Sequence, residues 1–191
     1  MAAPGPQLAT ARLELRPFTR PDAAELLEIF RDVDVRRWLL DGAVLPLAWL
    51  NDEIAASDAR FAASGAGLWS IRRSHASGPV AANEAQGPQP IIGFAGFREF
   101  FDPPQLQLLY GLLPSCWGQG LATEAARCVC DHAFDHLGFD VIAAATDIPN
   151  TASIAVMQRL GMRCVRRSDD GPAGAAFYAI GREAWLARGR R

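Results

Sequence analysis

The sequence predicts a mixed α/β (α+β) fold, a mainly antiparallel central sheet with helices on both faces. Three observations carry this reading. The elements run strand-helix-helix, then three meandering strands, then helix-strand-helix-strand-strand. Asp102-Pro-Pro104 joins two apolar runs as an antiparallel turn. The chain has 191 residues, 50% of them apolar, which suits a single domain over 1–191 with one sizeable core.

Taken in order, Arg12-Leu-Glu-Leu-Arg-Pro-Phe18 alternates polar and apolar residues and reads as the first strand. Thr19-Arg-Pro-Asp22 turns the chain into a helix over residues 22–31. After Leu45 and Pro46, the residues Trp49, Leu50, Ile54 and Phe61 recur at three-to-four spacing, a second helix that Gly65-Ala-Gly67 ends. Leu68-Trp-Ser-Ile-Arg72 follows as strand. Residues 75–90 lack periodicity and are rich in Gly, Pro and Ala. They are expected to form a mobile loop inserted in a hairpin, because strand pattern resumes beyond them. Strands over 91–98 and 105–113 come next. A helix then places Leu121, Ala125, Val129, Ala133 and Leu137 on one stripe, and Gly138 stops it. Residues 141–146 form a short buried strand. Asn150 caps a helix carrying Ile154, Met157 and Leu160, closed by Gly161, and strands over 163–166 and 175–180 follow.

Composition excludes several classes of function. No window of about 18 uninterrupted apolar residues occurs, so no membrane partner is expected. Met1-Ala-Ala-Pro-Gly-Pro6 lacks the basic flank and apolar stretch of a signal peptide, and a cytoplasmic location is expected. The formal net charge is −2 with basic residues scattered, which argues against nucleic acid as a partner. All 19 basic side chains are arginine, which removes Schiff-base lysine enzymes and standard P-loop NTPases. Cys128 and Cys130 lie two apart in a helical pattern and point apart, while Cys116 and Cys164 are isolated, so buried thiols are expected. His132 and His136 lack a third ligand nearby and His75 sits in the loop, so no metal is expected.

The chemistry concentrates at Trp117-Gly-Gln-Gly-Leu-Ala-Thr123, where a strand runs into a helix start. Such a turn presents free backbone N–H groups and the positive end of the helix dipole, an anion site that needs no cationic side chain. Gly118 and Gly120 let a phosphate approach the backbone and Thr123 adds a hydroxyl; a diphosphate would suit it. Two other readings compete. The glycines can serve a helix cap alone. They can also begin a dinucleotide fingerprint, although its third glycine falls on Thr123 and the domain opens with an antiparallel meander.

The third reading comes by resemblance. LLYGLLPSCWGQGLATEAARCV together with NTASIAVMQRLGMR resembles the GNAT N-acetyltransferases, in particular their RimJ/RimL-like branch. The likeness extends to Arg12-Leu-Glu-Leu-Arg-Pro-Phe18 in front and Tyr178-Ala-Ile-Gly-Arg-Glu-Ala-Trp185 behind, leaving out only the 75–90 loop. It implies a GNAT-like mixed sheet and acetyl-CoA as co-substrate, with an amine acceptor that is a protein N-terminus or a small molecule. On that likeness, Leu112 and Leu113 offer backbone groups to the pantetheine arm. Trp117, Gly118, Gln119, Gly120, Leu121, Ala122 and Thr123 wrap the pyrophosphate, and Asn150 and Ser153 face the cofactor. Both monomer and homodimer remain open.

Acetyl transfer from a thioester to nitrogen needs a neutral amine, a donor for the oxyanion and help for the departing thiolate. An α-amine near pKa 8 and a thiol near 8.5 ask for little proton management. Many GNAT proteins carry a tyrosine acid where this chain has Met157. In the resembled branch the serine of Asn-x-x-Ser hydrogen-bonds the thiolate, which puts the role on Ser153; helix capping is its other explanation. Family members often place a basic glutamate where this chain has Gln107, and Glu99 is the nearest substitute, otherwise an exposed strand-end carboxylate. Tyr110 and Tyr178 read as core residues with tethered hydroxyls. Trp38 and Trp49 line an acceptor cleft or pack internally. A catalytically weak acyl-CoA-binding sensor is the alternative to an enzyme.

Overall fold

The computed structural model describes residues 5–74, 89–101, 103, 105–169, 171 and 173–188. All but the last two residues of the loop expected over 75–90 lie outside these, as do Asp102 and Pro104 of the expected turn. β1 (Leu8–Ala9), β2 (Leu13–Pro17), β3 (Leu68–Arg73), β4 (Ile91–Phe100) and β5 (Gln105–Leu112) form one sheet in sequence order. Every pairing in it is antiparallel. β6 (Val141–Asp147), β7 (Arg163–Ser168) and β8 (Ala175–Gly181) form a second antiparallel sheet in the order β6-β8-β7. The mainly antiparallel sheet with helices on both faces that the sequence predicts is present, divided into these two parts. β5 and β6 each edge their own sheet, adjacent but unpaired, joined through the crossover helix α4 (Leu121–Asp135).

The strand period of two sends alternate side chains to opposite faces, and the core divides accordingly. Leu13, Leu15, Trp69, Ile71, Ala95 and Phe97 meet Leu121, Ala125, Val129 and Ala133 of α4, with Met157 of α5 (Thr151–Arg159) in the same cluster. Phe18, Leu68 and Phe94 face the other way. They pack on Leu26 and Phe30 of α1 (Ala23–Arg31) and on Leu50 and Ile54 of α3 (Leu47–Ser64). Helices thus cover both faces. The short α2 (Val33–Arg36) and the terminal α6 (Arg182–Arg188) are additions to the sequence reading. α2 is a single turn whose Asp32 cap accepts from the Asp34 and Val35 amides, too short to show periodicity.

Candidate active site

Where β5 and β6 diverge, a cleft of about 850 Å³ opens between the sheets, a size typical of small-molecule sites. Its walls come from Leu108–Leu112 of β5, Ala144–Thr146 of β6, the starts of α4 and α5, Asp34 of α2, and Trp38 and Leu39 beyond it.

The end next to α4 is made of backbone. Gly118 and Gly120 have φ of +72° and +77°, a region that side chains with a Cβ avoid. Gly120 occupies the helix N-cap, where no side chain caps the first turn, so the first amides of α4 stay available to a ligand. A Cβ on Gly118 would meet nothing within 4 Å, so packing is not what excludes a side chain there.

Side chains brace this turn from outside. Arg12 Nε donates to Glu124 Oε2 at 2.7 Å and Arg12 Nη1 to the Gln119 carbonyl at 3.0 Å. Thr10 Oγ1 donates to the other Glu124 oxygen. Burial alone would raise the Glu124 carboxyl, but the hydrogen bonds from Thr10 and Arg12 together hold it below its ordinary value. Arg73 Nη2 donates to Gln119 Oε1 at 2.8 Å, and Gln119 Nε2 to the Ser115 carbonyl at 3.0 Å. Gln119 is thus spent on holding the turn and does not line the cleft. The braces from Thr10, Arg12 and Arg73 leave no mark in the sequence, because they join segments more than 40 residues apart.

The open edge of β5 also differs from expectation. The Leu113 amide donates to the Ile92 carbonyl at 2.9 Å. Antiparallel alternation then directs the main-chain groups of Gly111 to β4 and those of Tyr110 and Leu112 to the open edge, while the Leu113 carbonyl accepts from the Cys116 amide at 2.9 Å. Leu113 is therefore not a free edge residue as expected, and Tyr110 takes its place beside Leu112. The Leu112 carbonyl accepts from Trp117 Nε1 at 2.7 Å, which lays the half-exposed indole over the cleft rim.

At the cleft centre, Asn150 Oδ1 accepts from the Ser153 amide at 3.1 Å, while Asn150 Nδ2 donates to Thr146 Oγ1 at 3.0 Å. This cap ties α5 to the end of β6. Ser153 Oγ lies 2.9 Å from Tyr110 Oη, which also donates to the Ser153 carbonyl at 3.1 Å. Burial pushes the Tyr110 phenol well above its usual range, and its bond with Ser153 offsets only part of that. The sequence reading left Tyr110 in the core. Its even register with Leu108 and Leu112 points it at the core they share with α4, and only the contact with Ser153 brings its hydroxyl to the cleft wall.

Glu99 is exposed on β4 opposite Leu106, outside the cleft and apart from Ser153. Gln107 is buried opposite Arg98, three positions from Tyr110 and so on the other face of β5. The two carboxylates that do line the cleft are engaged: Glu124 as above, and Asp34 with Arg37 at 2.9 Å. Trp38 lines the cleft, whereas Trp49 packs edge-on against Phe30 at 5.4 Å between ring centroids. Among the described residues no group of His, Cys, Asp and Glu is placed to hold a metal, and no helix is long and apolar enough to cross a membrane.

A split α/β sheet whose two edge strands lead to a glycine turn and a bare helix start defines a fold with a cleft between its halves and an anion-accepting backbone at one end. The model of the acetyltransferase (GNAT) domain matches residues 12–163, and the chain belongs to that family. It is 28% identical over 196 residues to the FsC-acetyl coenzyme A-N(2)-transacetylase of Aspergillus fumigatus, covering 95% of this chain and 78% of that one. The fold matches a GNAT acetyltransferase from Bacillus anthracis with a TM-score of 0.73 at 20% identity, covering 93% and 99% of the two chains. It also matches the RimL ribosomal α-N-protein acetyltransferase in complex with coenzyme A, with a TM-score of 0.72 at 14% identity, covering 92% and 98%.

Proposed function

We propose that the chain, as one domain of the RimJ/RimL-like branch, transfers the acetyl group of acetyl-CoA to a primary amine that is already partly neutral near pH 7, a peptide N-terminus first among them. The observation that carries this reading is a cleft that joins an anion-binding helix start to the Tyr110–Ser153 pair, with no unpaired carboxylate on its described walls. The relative from Aspergillus fumigatus, named for acyl transfer to nitrogen, supports the same reaction class.

In this reading the pyrophosphate lies against the amides of Leu121, Ala122 and Thr123, with Gly118 and Gly120 allowing close approach. The pantetheine arm runs along the Tyr110 and Leu112 edge of β5. The amine nitrogen attacks the acetyl carbon, the C–S bond breaks with its pair on sulfur, and Ser153 Oγ donates a hydrogen bond to that sulfur as charge develops. Glu99 has no part in it, because it stands outside the cleft.

With no base, the acceptor's own ionisation sets the rate. At pH 7 about a tenth of an α-amine near pKa 8 is neutral, against less than a thousandth of a lysine amine, a gap of roughly 3 kcal/mol. Thiol release from acetyl-CoA is therefore expected to be over about 100-fold faster with a free peptide N-terminus than with an Nα-blocked lysine peptide. Each rate should rise with pH until the acceptor's own pKa. A common inflection for both acceptors would reveal an enzyme base and overturn the neutral-acceptor reading. CoA binding without thiol release on any amine would make the protein an acyl-CoA sensor.

A further inference from the structure

The leaving-group role proposed for Ser153 makes no use of Tyr110, yet the two hydroxyl oxygens are 2.9 Å apart and the phenol also reaches the Ser153 carbonyl at 3.1 Å. A phenol has one proton, and a serine hydroxyl has one. With the phenol donating to the carbonyl, its oxygen is left to accept the serine proton, and Ser153 is turned away from the cleft. With the phenol donating to Ser153 Oγ, the serine proton is free to point at an atom in the cleft. Both residues line that cleft, so both arrangements border the same reacting centre.

We infer that Tyr110 is a positioning residue for acyl transfer, its single proton deciding whether Ser153 presents its own proton to the leaving sulfur. The inference rests on the role proposed for Ser153. As the C–S bond breaks and charge gathers on sulfur, the serine proton swings to it and the phenol proton moves from the carbonyl to Ser153 Oγ. The chain of two hydrogen bonds then polarises toward the sulfur. The amine nitrogen forms the new C–N bond, the C–S electron pair leaves with sulfur, and the ammonium proton goes to water. Neither hydroxyl loses its proton; both only reorient. Burial favours the neutral phenol, so the donor is kept throughout.

The test is a double-mutant cycle on kcat, with KM for acetyl-CoA and the Kd of CoA measured alongside. Tyr110→Phe and Ser153→Ala are each expected to lower kcat about tenfold, the double variant to be no slower than Ser153→Ala alone, and CoA affinity to stay within about twofold. Additive losses, or a Tyr110→Phe kcat within about twofold of wild type while Ser153→Ala is impaired, would overturn the inference. A fully active Ser153→Ala would instead overturn the leaving-group role beneath it, and a wild type inert toward every amine would overturn the proposed function. A second measurement leaves packing intact. The chain has two tyrosines, so fluorotyrosine in a Tyr178→Phe background labels position 110 alone. A stronger phenol donor is expected to raise kcat about twofold, and an unchanged kcat would count against Tyr110 as decisively as additive losses.

Discussion

The turn before α4 and the segment between α2 and α3 are both short and irregular, and both border the cleft, but they hold their shapes by opposite means. In the first, the left-handed positions fall on Gly118 and Gly120, and the surrounding side chains are complementary: Arg12 pairs with Glu124, and Arg73 donates to the neutral Gln119 amide. In the second, Leu40 and Asp41 adopt φ of +49° and +58° despite their side chains, a strain of about 1 kcal/mol or more each. Arginines fasten this segment by its backbone, Arg36 to the Gly42 carbonyl at 2.6 Å and Arg31 to the Leu45 carbonyl at 2.8 Å. One pair of nearby charges, Asp41 and Asp147, repels. Burial, with the charge of Asp41 adding to it, pushes the Asp147 carboxyl up. The difference teaches that the glycine turn, the cofactor end in the proposed reading, reaches its shape without strain, while the α2–α3 segment, the acceptor end in that reading, carries strain that its own side chains hold in place.

The largest expected effect breaks the relaxed turn. Gly120→Val forces a β-branched residue into φ of +77°, with Arg12 Nη2 already 3.7 Å from where its Cβ would stand. CoA binding should weaken at least about tenfold, or roughly 1.4 kcal/mol, measured by calorimetry on variant that still folds. An unchanged affinity would mean the turn does not bind the pyrophosphate.

A smaller effect sharpens the electrostatic half of the comparison. The Glu124 carboxyl is held below its ordinary value when folded, so its contribution to stability is present above the unfolded pKa of about 4.3 and is lost as pH falls through the folded one. Glu124→Gln is expected to cost about 1 kcal/mol at pH 7 and progressively less toward pH 3, read from denaturant unfolding of both proteins. A penalty that stays constant with pH would show that Glu124 packs rather than pairs.

What the sequence disclosed follows the same division. Glycines at positive φ, the Asn150 cap and the two periodicities leave marks within a few residues, so strands β2 to β8, the longer helices and the turn are legible, while the two-residue β1 is too short to show alternation. The split between β5 and β6 is not legible, because an unpaired edge has the same alternation as a paired one. The Arg12–Glu124 brace joins residues 112 apart in the chain, and no local pattern records it. Ser153 and Asn150 were found through their motif. Tyr110 was set aside because an aromatic on a strand has packing as its commonest role, and only the position of Ser153 opposite it changes that. Glu99 is the carboxylate at the end of the strand beside Gln107, and its exposed place on β4 puts it outside the cleft.

The smallest effect tests the acceptor end through its two tryptophans, which the sequence could not tell apart. Trp38 lines the cleft, half-buried, with Arg37 stacked 5.9 Å from its ring. Trp49 lies against Phe30 and carries the Arg98 guanidinium at 5.8 Å, within the packing of α1 and α3. Truncating a side chain that only touches substrate removes uniform binding, which raises KM and leaves kcat alone. Trp38→Ala is thus expected to raise the acceptor KM about threefold, roughly 0.7 kcal/mol, with the acetyl-CoA KM unmoved. Trp49→Phe, which keeps most of the apolar area, should shift the melting temperature and neither KM. The two variants assayed with one peptide acceptor decide it: equal KM shifts would place both rings at the acceptor, and a Trp38→Ala effect on acetyl-CoA alone would move the acceptor site elsewhere in the cleft.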